Sequence, residues 1–134
     1  MKNHIISKSL IVLLKNFSVL AIVLLLTITC GDDEPLVIQL PSVTTSAMSD
    51  ITKTTAISGG VISDDGNGNI EARGVCWNTT GNPQTTDDKT NEGTGTGNFS
   101  STLTGLEVNT TYFVRAYATN SAGTAYGQEV SFTT

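Results

Sequence analysis

Past residue 41 the chain alternates apolar and polar residues in short runs, broken by Gly, Asn and Asp. That period-2 pattern predicts strands over 42–46, 54–62, 71–78, 97–104, 110–119 and 128–134. The clearest runs from Tyr112 to Thr119. Tyr112, Val114, Ala116 and Ala118 share one face, and Phe113, Arg115, Tyr117 and Thr119 share the other. A half-buried antiparallel strand requires that alternation. Phe99, Ser101 and Leu103 share a face in the run before it, and Val130 and Phe132 alternate with Ser131 and Thr133 near the end. In 54–62 the inward face is ambiguous, because Ile57 and Val61 oppose Ala56 and Ile62. Turn residues sit between the runs, at Asp65-Gly66-Asn67-Gly68-Asn69 and at Asn120-Ser121-Ala122-Gly123. The expected fold is all-β, an antiparallel sandwich of about seven strands over 41–134.

Before residue 41 the pattern is different. Lys2, Lys8 and Lys15 are followed by an uncharged apolar run from Phe17 to Thr29. The run has the length of a signal-peptide core and is too short to span a bilayer comfortably. A longer anchor over Leu10–Thr29 would have to bury Lys15 and Asn16. Residues 1–29 are therefore expected to be a helical signal peptide. The run closes on Leu26-Thr27-Ile28-Thr29-Cys30-Gly31. This resembles the lipobox of bacterial lipoproteins, in its relaxed Bacteroidota form, with Thr27 where Leu is usual. The resemblance implies a lipid on Cys30, an outer-membrane lipoprotein facing the surface or the periplasm, and the membrane as partner. Asp32-Asp33-Glu34 resembles the acidic export tag of some such lipoproteins. Residues 30–40, with Pro35, read as an acidic linker.

Charge narrows the partners. Only Lys53, Arg73, Lys89 and Arg115 follow Cys30, whereas all 12 acidic residues do, so four cations against twelve acids leave −8. Such a surface repels phosphate backbones, which argues against nucleic acid.

A second resemblance lies in Leu106-Glu107-Val108-Asn109-Thr110-Thr111-Tyr112-Phe113-Val114-Arg115-Ala116-Tyr117, continuing to Asn120-Ser121-Ala122-Gly123. It is similar to the tyrosine corner, strand F and F–G turn of fibronectin type III domains. The resemblance implies an immunoglobulin-like sandwich in which Leu106 plugs the core and the Tyr112 hydroxyl bonds back to the corner backbone. The chain departs from that family in having no Trp in 54–62; Trp77 lies in the next run and is expected in the core. Ala72-Arg73-Gly74-Val75-Cys76-Trp77, Asn82-Pro83 and Gly93-Thr94-Gly95-Thr96-Gly97-Asn98-Phe99 resemble a repeat of Bacteroidota surface lipoproteins.

Candidate chemistry is sparse. The one His is His4, in the leader, so no Ser-His-Asp, Cys-His or His-zinc site is available after Cys30. Cys76 reads as a small buried apolar residue. The acidic pairs Asp64-Asp65 and Asp87-Asp88 fall in loops rather than across a cleft, which glycoside hydrolysis needs. Asp64 to Asn69 has oxygen-bearing side chains at intervals but lacks the Gly and Glu of a calcium loop, and reads as a flexible turn. Gly93 to Gly97 precedes a strand and lacks a phosphate-loop Lys, so it reads as a mobile glycine loop. Phe113, Tyr117 and Tyr126 are the candidate aromatic platform for a ligand. No enzyme activity, cofactor or metal is expected. The expected function is a lipid-anchored surface module for adhesion, protein interaction or spacing. Two alternatives remain: a glycan-binding lipoprotein serving nutrient uptake, and an accessory repeat of a larger surface enzyme.

Overall fold

The computed structural model describes residues 34–134. The expected signal peptide and Cys30 lie outside the described residues. Eight strands run in order: β1 (Ser42–Thr45), β2 (Ala56–Asp64), β3 (Ala72–Asn78), β4 (Asp88–Lys89), β5 (Gly97–Leu103), β6 (Thr111–Asn120), β7 (Gly123–Tyr126) and β8 (Val130–Thr133). They form two antiparallel sheets. One has the order β1-β2-β5; the other has β4-β3-β6-β7, with β8 also pairing with β6. No helix in the described residues is long and apolar enough to cross a membrane.

The alternation in the sequence decides which side chains meet between the sheets. Val75, Trp77, Leu103, Leu106, Tyr112, Val114, Ala116 and Phe132 form the main core, and Ile62, Ile70 and Ala118 a smaller cluster. Val43 and Phe99 pack against both. The Tyr112 and Phe132 rings stack with centroids 5.8 Å apart. The ambiguous face of β2 is settled by Ala56 and Ile62, which turn inward, whereas Val61 points out. Burying an aliphatic side chain of Ile or Val size contributes about 1.5–3 kcal/mol. That favours the register that hides Ile62.

The structure differs from the sequence pattern in three places. β4 is two residues long and carries Asp88 and Lys89, too short and too polar to show a period. The run expected over 128–134 is the second piece of an interrupted strand: β7 pairs with Tyr117–Asn120 of β6 and β8 with Thr111–Val114. Between them Gln128 and Glu129 leave the ladder, while the Gly127 N–H still donates to the Ala116 carbonyl (2.8 Å). Finally, the compact body is Leu36–Thr134, so it takes in residues 36–40 of the expected linker. The Gln39 N–H donates to the Gly66 carbonyl (2.7 Å), and Asn120 Nδ2 donates to the Gln39 carbonyl (2.7 Å). Peptide groups that find partners in neighbouring loops stop behaving as a free linker.

Candidate functional site

The outward face of the five-stranded sheet is where the sequence concentrates its candidate chemistry. Phe113, Arg115, Tyr117 and Thr119 of β6 point there, next to Gly74 and Cys76 of β3 and Tyr126 of β7. The chain covers this face itself. From β3 it continues through residues 79–87, where Asn82 and Thr85 bond to side chains of the sheet, and returns along the edge of β3, where the Thr90 and Glu92 N–H groups donate to the Val75 and Arg73 carbonyls.

Tyr117 is 2% exposed. It stands opposite Gly74, and its hydroxyl donates to the Thr90 carbonyl at 2.6 Å. Thr90 comes this close because Gly74 has no side chain; a Cβ there would meet the Thr90 carbonyl oxygen at 2.3 Å. Burial pushes the Tyr117 phenol above its usual pKa, with smaller contributions from Cys76, Glu92 and Tyr126. The expected role of Tyr117 in an open aromatic platform is thus corrected: its ring and its hydroxyl are both used inside the fold.

Tyr126 is half-buried, and its hydroxyl accepts the Thr85 N–H at 3.1 Å and pairs with the Thr85 hydroxyl. The Arg115 guanidinium lies 4.6 Å from the Tyr126 ring centroid, a cation–π contact. Arg115 also donates to the Gly127 carbonyl (3.0 Å) and to Asn82 Oδ1 (2.8 Å). The Asn82 N–H in turn donates to Glu129 Oε2. One arginine therefore joins the covering loop, β6 and the break in the last strand. Phe113 is half-buried beside them, opposite Asn78 and Ser131. Beneath the cover Cys76 is fully buried, and burial raises its thiol from 9.0 to about 11, outweighing the pull of Arg115. A thiol with that pKa is overwhelmingly protonated near neutral pH and is a poor nucleophile.

The strand break has a second consequence. Gln128 swings away from β6 and clamps the backbone of Thr45 at the end of β1. Its Oε1 accepts the Thr45 N–H (3.0 Å) and its Nε2 donates to the Thr45 carbonyl (2.7 Å). The Thr45 hydroxyl accepts the Ala116 N–H (3.0 Å), a buried bond between the two sheets. Gly127 allows this approach, since a Cβ there would sit 2.4 Å from Thr45 Oγ1.

At the end of the sandwich where β2 turns into β3, the loop Asp64–Asn69 is tied down rather than flexible. The Asp64 and Asp65 carboxylates accept the N–H groups of Gly66 (2.7 Å) and Asn67 (2.9 Å). Asn120 Nδ2 bonds the Asp65 carbonyl as well as that of Gln39. Gly66 and Asn67 both take positive φ, which Gly and Asn tolerate best. Among the described residues no group of three His, Cys, Asp or Glu is placed to hold a metal ion.

The glycine loop is likewise anchored. Arg73 donates to the carbonyls of Glu92 (3.4 Å), Gly95 (3.0 Å) and Thr96 (2.8 Å), while its guanidinium lies 5.5 Å from the Phe99 ring centroid. Gly93, Gly95 and Gly97 all have positive φ, so the glycines serve the path of the backbone, which Arg73 then pins. Arg73 was legible as unusual: it shares the inward parity of Val75 and Trp77, where an unpaired charge is costly.

At the opposite end, Leu106 is buried and its N–H donates to the Thr54 carbonyl. The Tyr112 hydroxyl accepts the Glu107 N–H at 3.0 Å, joining ring and corner backbone. Trp77 is 8% exposed and belongs to the core.

Two sheets of three and five strands, joined by this corner, match known architecture. No family model and no curated protein matches the chain. Solved structures do. A fibronectin type III domain of human collagen XX aligns with 18% identity and a TM-score of 0.54, over 75% of this chain and 97% of that one. The fold is fibronectin type III-like. The sensor domain of an anti-sigma factor from Pseudobacteroides cellulosolvens aligns with 17% identity and a TM-score of 0.52, over 73% of this chain and 97% of that one. A myokine structure gives 17% identity and the same TM-score, over 73% of this chain and 98% of the other. At these identities the likeness speaks for the fold, and many unrelated functions share it.

Proposed function

We propose that the chain is a lipid-anchored, non-catalytic envelope module, held to a membrane through Cys30 and acting as a spacer or interaction domain outside the cytoplasm. The observation that carries this reading is the placement of the two ends of the sandwich body. Gln39 is bonded to Asn120, the last residue of β6, whereas Thr133 pairs with Thr111, the first. The path enters at one pole and reaches Thr134 at the other, a strand length of about 30 Å away at ~3.3 Å per residue. A body threaded pole to pole suits a spacer, because its full length separates the two poles. Tyr117 is buried and Arg115 and Tyr126 bond to the covering loop, which supports this reading over the glycan-binding alternative, whose platform keeps Phe113 and Tyr126 half-buried. The leader and the Cys30 context supply the anchor, since stable attachment needs more than one acyl chain on the mature N-terminus.

The test is acyl mass spectrometry of the mature N-terminus, combined with protease shaving of intact cells. The reading expects a diacylated or triacylated Cys30 as first residue and loss of the body on shaving or on outer-membrane permeabilisation. A Cys30→Ala chain that is still processed and equally membrane-bound would overturn it. A glycan array with the mature chain tests the alternative; binding lost in Tyr126→Ala would restore it.

A further inference from the structure

The fold leaves one feature unexplained. Leu36, Val37, Ile38 and Leu40 are 75%, 63%, 42% and 53% exposed, and they account for most of the large exposed apolar residues among those described. The others, Ile51, Val61 and Val108, are scattered along the chain. Isolated exposed aliphatics are ordinary on a protein surface, but a contiguous run marks a contact.

This segment is also held in place. Besides the bonds of Gln39 to Gly66 and Asn120, the Val37 carbonyl accepts Asn67 Nδ2 at 3.3 Å. Ile38 and Leu40 rest one edge on glycine backbone: a Cβ at Gly68 would meet Ile38 Cγ2 at 2.7 Å, and one at Gly123 would meet Leu40 Cδ2 at 3.1 Å. Three backbone groups, the Gln39 N–H and the Val37 and Gln39 carbonyls, are held by the loops while the side chains are left largely exposed. It is a strap that presents aliphatic groups, not a piece of core that failed to close.

We infer that this strap is a membrane-contact surface, with Leu36, Val37, Ile38 and Leu40 seated in the interfacial region of the bilayer. The inference rests on the lipid-anchor reading. The chain between Cys30 and Leu36 spans at most roughly 20 Å when fully extended, so an acylated Cys30 keeps the strap within that reach of the membrane surface. No other part of the body has so short a tether. Aliphatic side chains held there lose water by a small reorientation of the body, with no further ordering of their backbone. The charge of the surroundings selects the lipid. Asp32, Asp33 and Glu34 lie between anchor and strap, Asp64 and Asp65 lie in the loop beneath it, and no Lys or Arg occurs from Cys30 to Thr52. The contact therefore favours zwitterionic headgroups and is weakened by anionic ones. It also gives the body an orientation: the pole with Gly66 and Gly123 faces the lipid, and the corner with Val108 faces away.

The mature acylated chain on phosphatidylcholine vesicles tests this. Leu36→Trp and Val108→Trp are compared with the parent protein, whose Trp77 is buried and serves as a constant background. The expected result is a blue-shifted Leu36→Trp emission that brominated acyl chains quench, beside a Val108→Trp emission that stays at its water-exposed wavelength. Leu36→Trp quenched no more than Val108→Trp, on protein that remains vesicle-bound, overturns the strap contact and leaves the anchor standing. A blue shift without lipid quenching assigns the strap to a protein surface instead and also overturns the contact. Failure of the acylated fraction to associate with vesicles overturns the anchor reading, and the strap inference with it.

Discussion

The outer faces of the two sheets differ in what they carry and in who uses it. The five-stranded sheet turns Phe113, Arg115, Tyr117, Cys76 and Tyr126 outward, and the chain beyond β3 bonds to Arg115, Tyr117 and Tyr126. The three-stranded sheet turns out Thr44, Val61, Asn98, Ser100 and Thr102, all exposed and uncharged. Residue types that suggest binding when read along the chain are here spent on holding a cover in place. The open face is the chemically plain one. A side chain's capacity to recognise a partner counts only after its internal partners are known.

The comparison breaks most readily where the covered sheet is joined to the other. Thr45→Val keeps the shape but strands the buried Ala116 N–H, for which about 1–3 kcal/mol of lost stability is expected in urea denaturation. A change within a few tenths of a kcal/mol would mean that the inter-sheet bond is replaced by water. Next comes Arg115→Ala, which removes the stack on Tyr126 and the bonds to Gly127 and Asn82 together. A loss of about 1–2 kcal/mol is expected, with faster modification of Cys76 by a thiol reagent as the cover loosens.

The covered face also has a pH signature. In the fold the Cys76 thiol holds its proton up to about 11, whereas the unfolded chain gives it up near 9.0. Between those values the unfolded state binds fewer protons, so stability is complete below about pH 9 and falls as pH rises towards 11. Tyr117, also raised by burial, acts in the same direction above its ordinary 10.0. Denaturation midpoints at pH 8 and pH 10.5 should show this drop, and Cys76→Ala should reduce it; an unchanged slope in that variant would clear the thiol of any part. At the corner, Tyr112→Phe removes the bond to the Glu107 N–H at a cost on the order of 1 kcal/mol. On the open face, Thr102→Ala should stay within about 0.5 kcal/mol, as surface changes away from special features do. A larger loss there would show that the plain face carries structure after all.

Much of the fold was legible. The alternation in Tyr112–Thr119 put Tyr112, Val114, Ala116 and Ala118 on one face, which the structure turns inward, and the resemblance around Leu106–Tyr112 implied the corner. β4 escaped because two residues cannot show a period. The break at Gln128–Glu129 escaped because its cause is distant: Gln128 leaves the ladder to bond Thr45, which lies 83 residues away. The candidate platform was misread for the same reason. Parity separated Tyr117 from the Tyr112–Ala118 face, but only the approach of Thr90 to Gly74 gave its hydroxyl an internal partner.

Legible along the chain were most of the strands, the two faces of Tyr112–Thr119, the acidic balance after Cys30 and the absence of His from that region. These follow from local periodicity and from composition, which a single chain displays directly. Long-range contacts alone settle that the strap 36–40 is docked with its aliphatic groups outward, that Arg73 and Arg115 pin loops, and that Tyr117 is buried. Each of those depends on which distant backbone groups meet a given side chain, and such long-range pairings leave no period in the sequence.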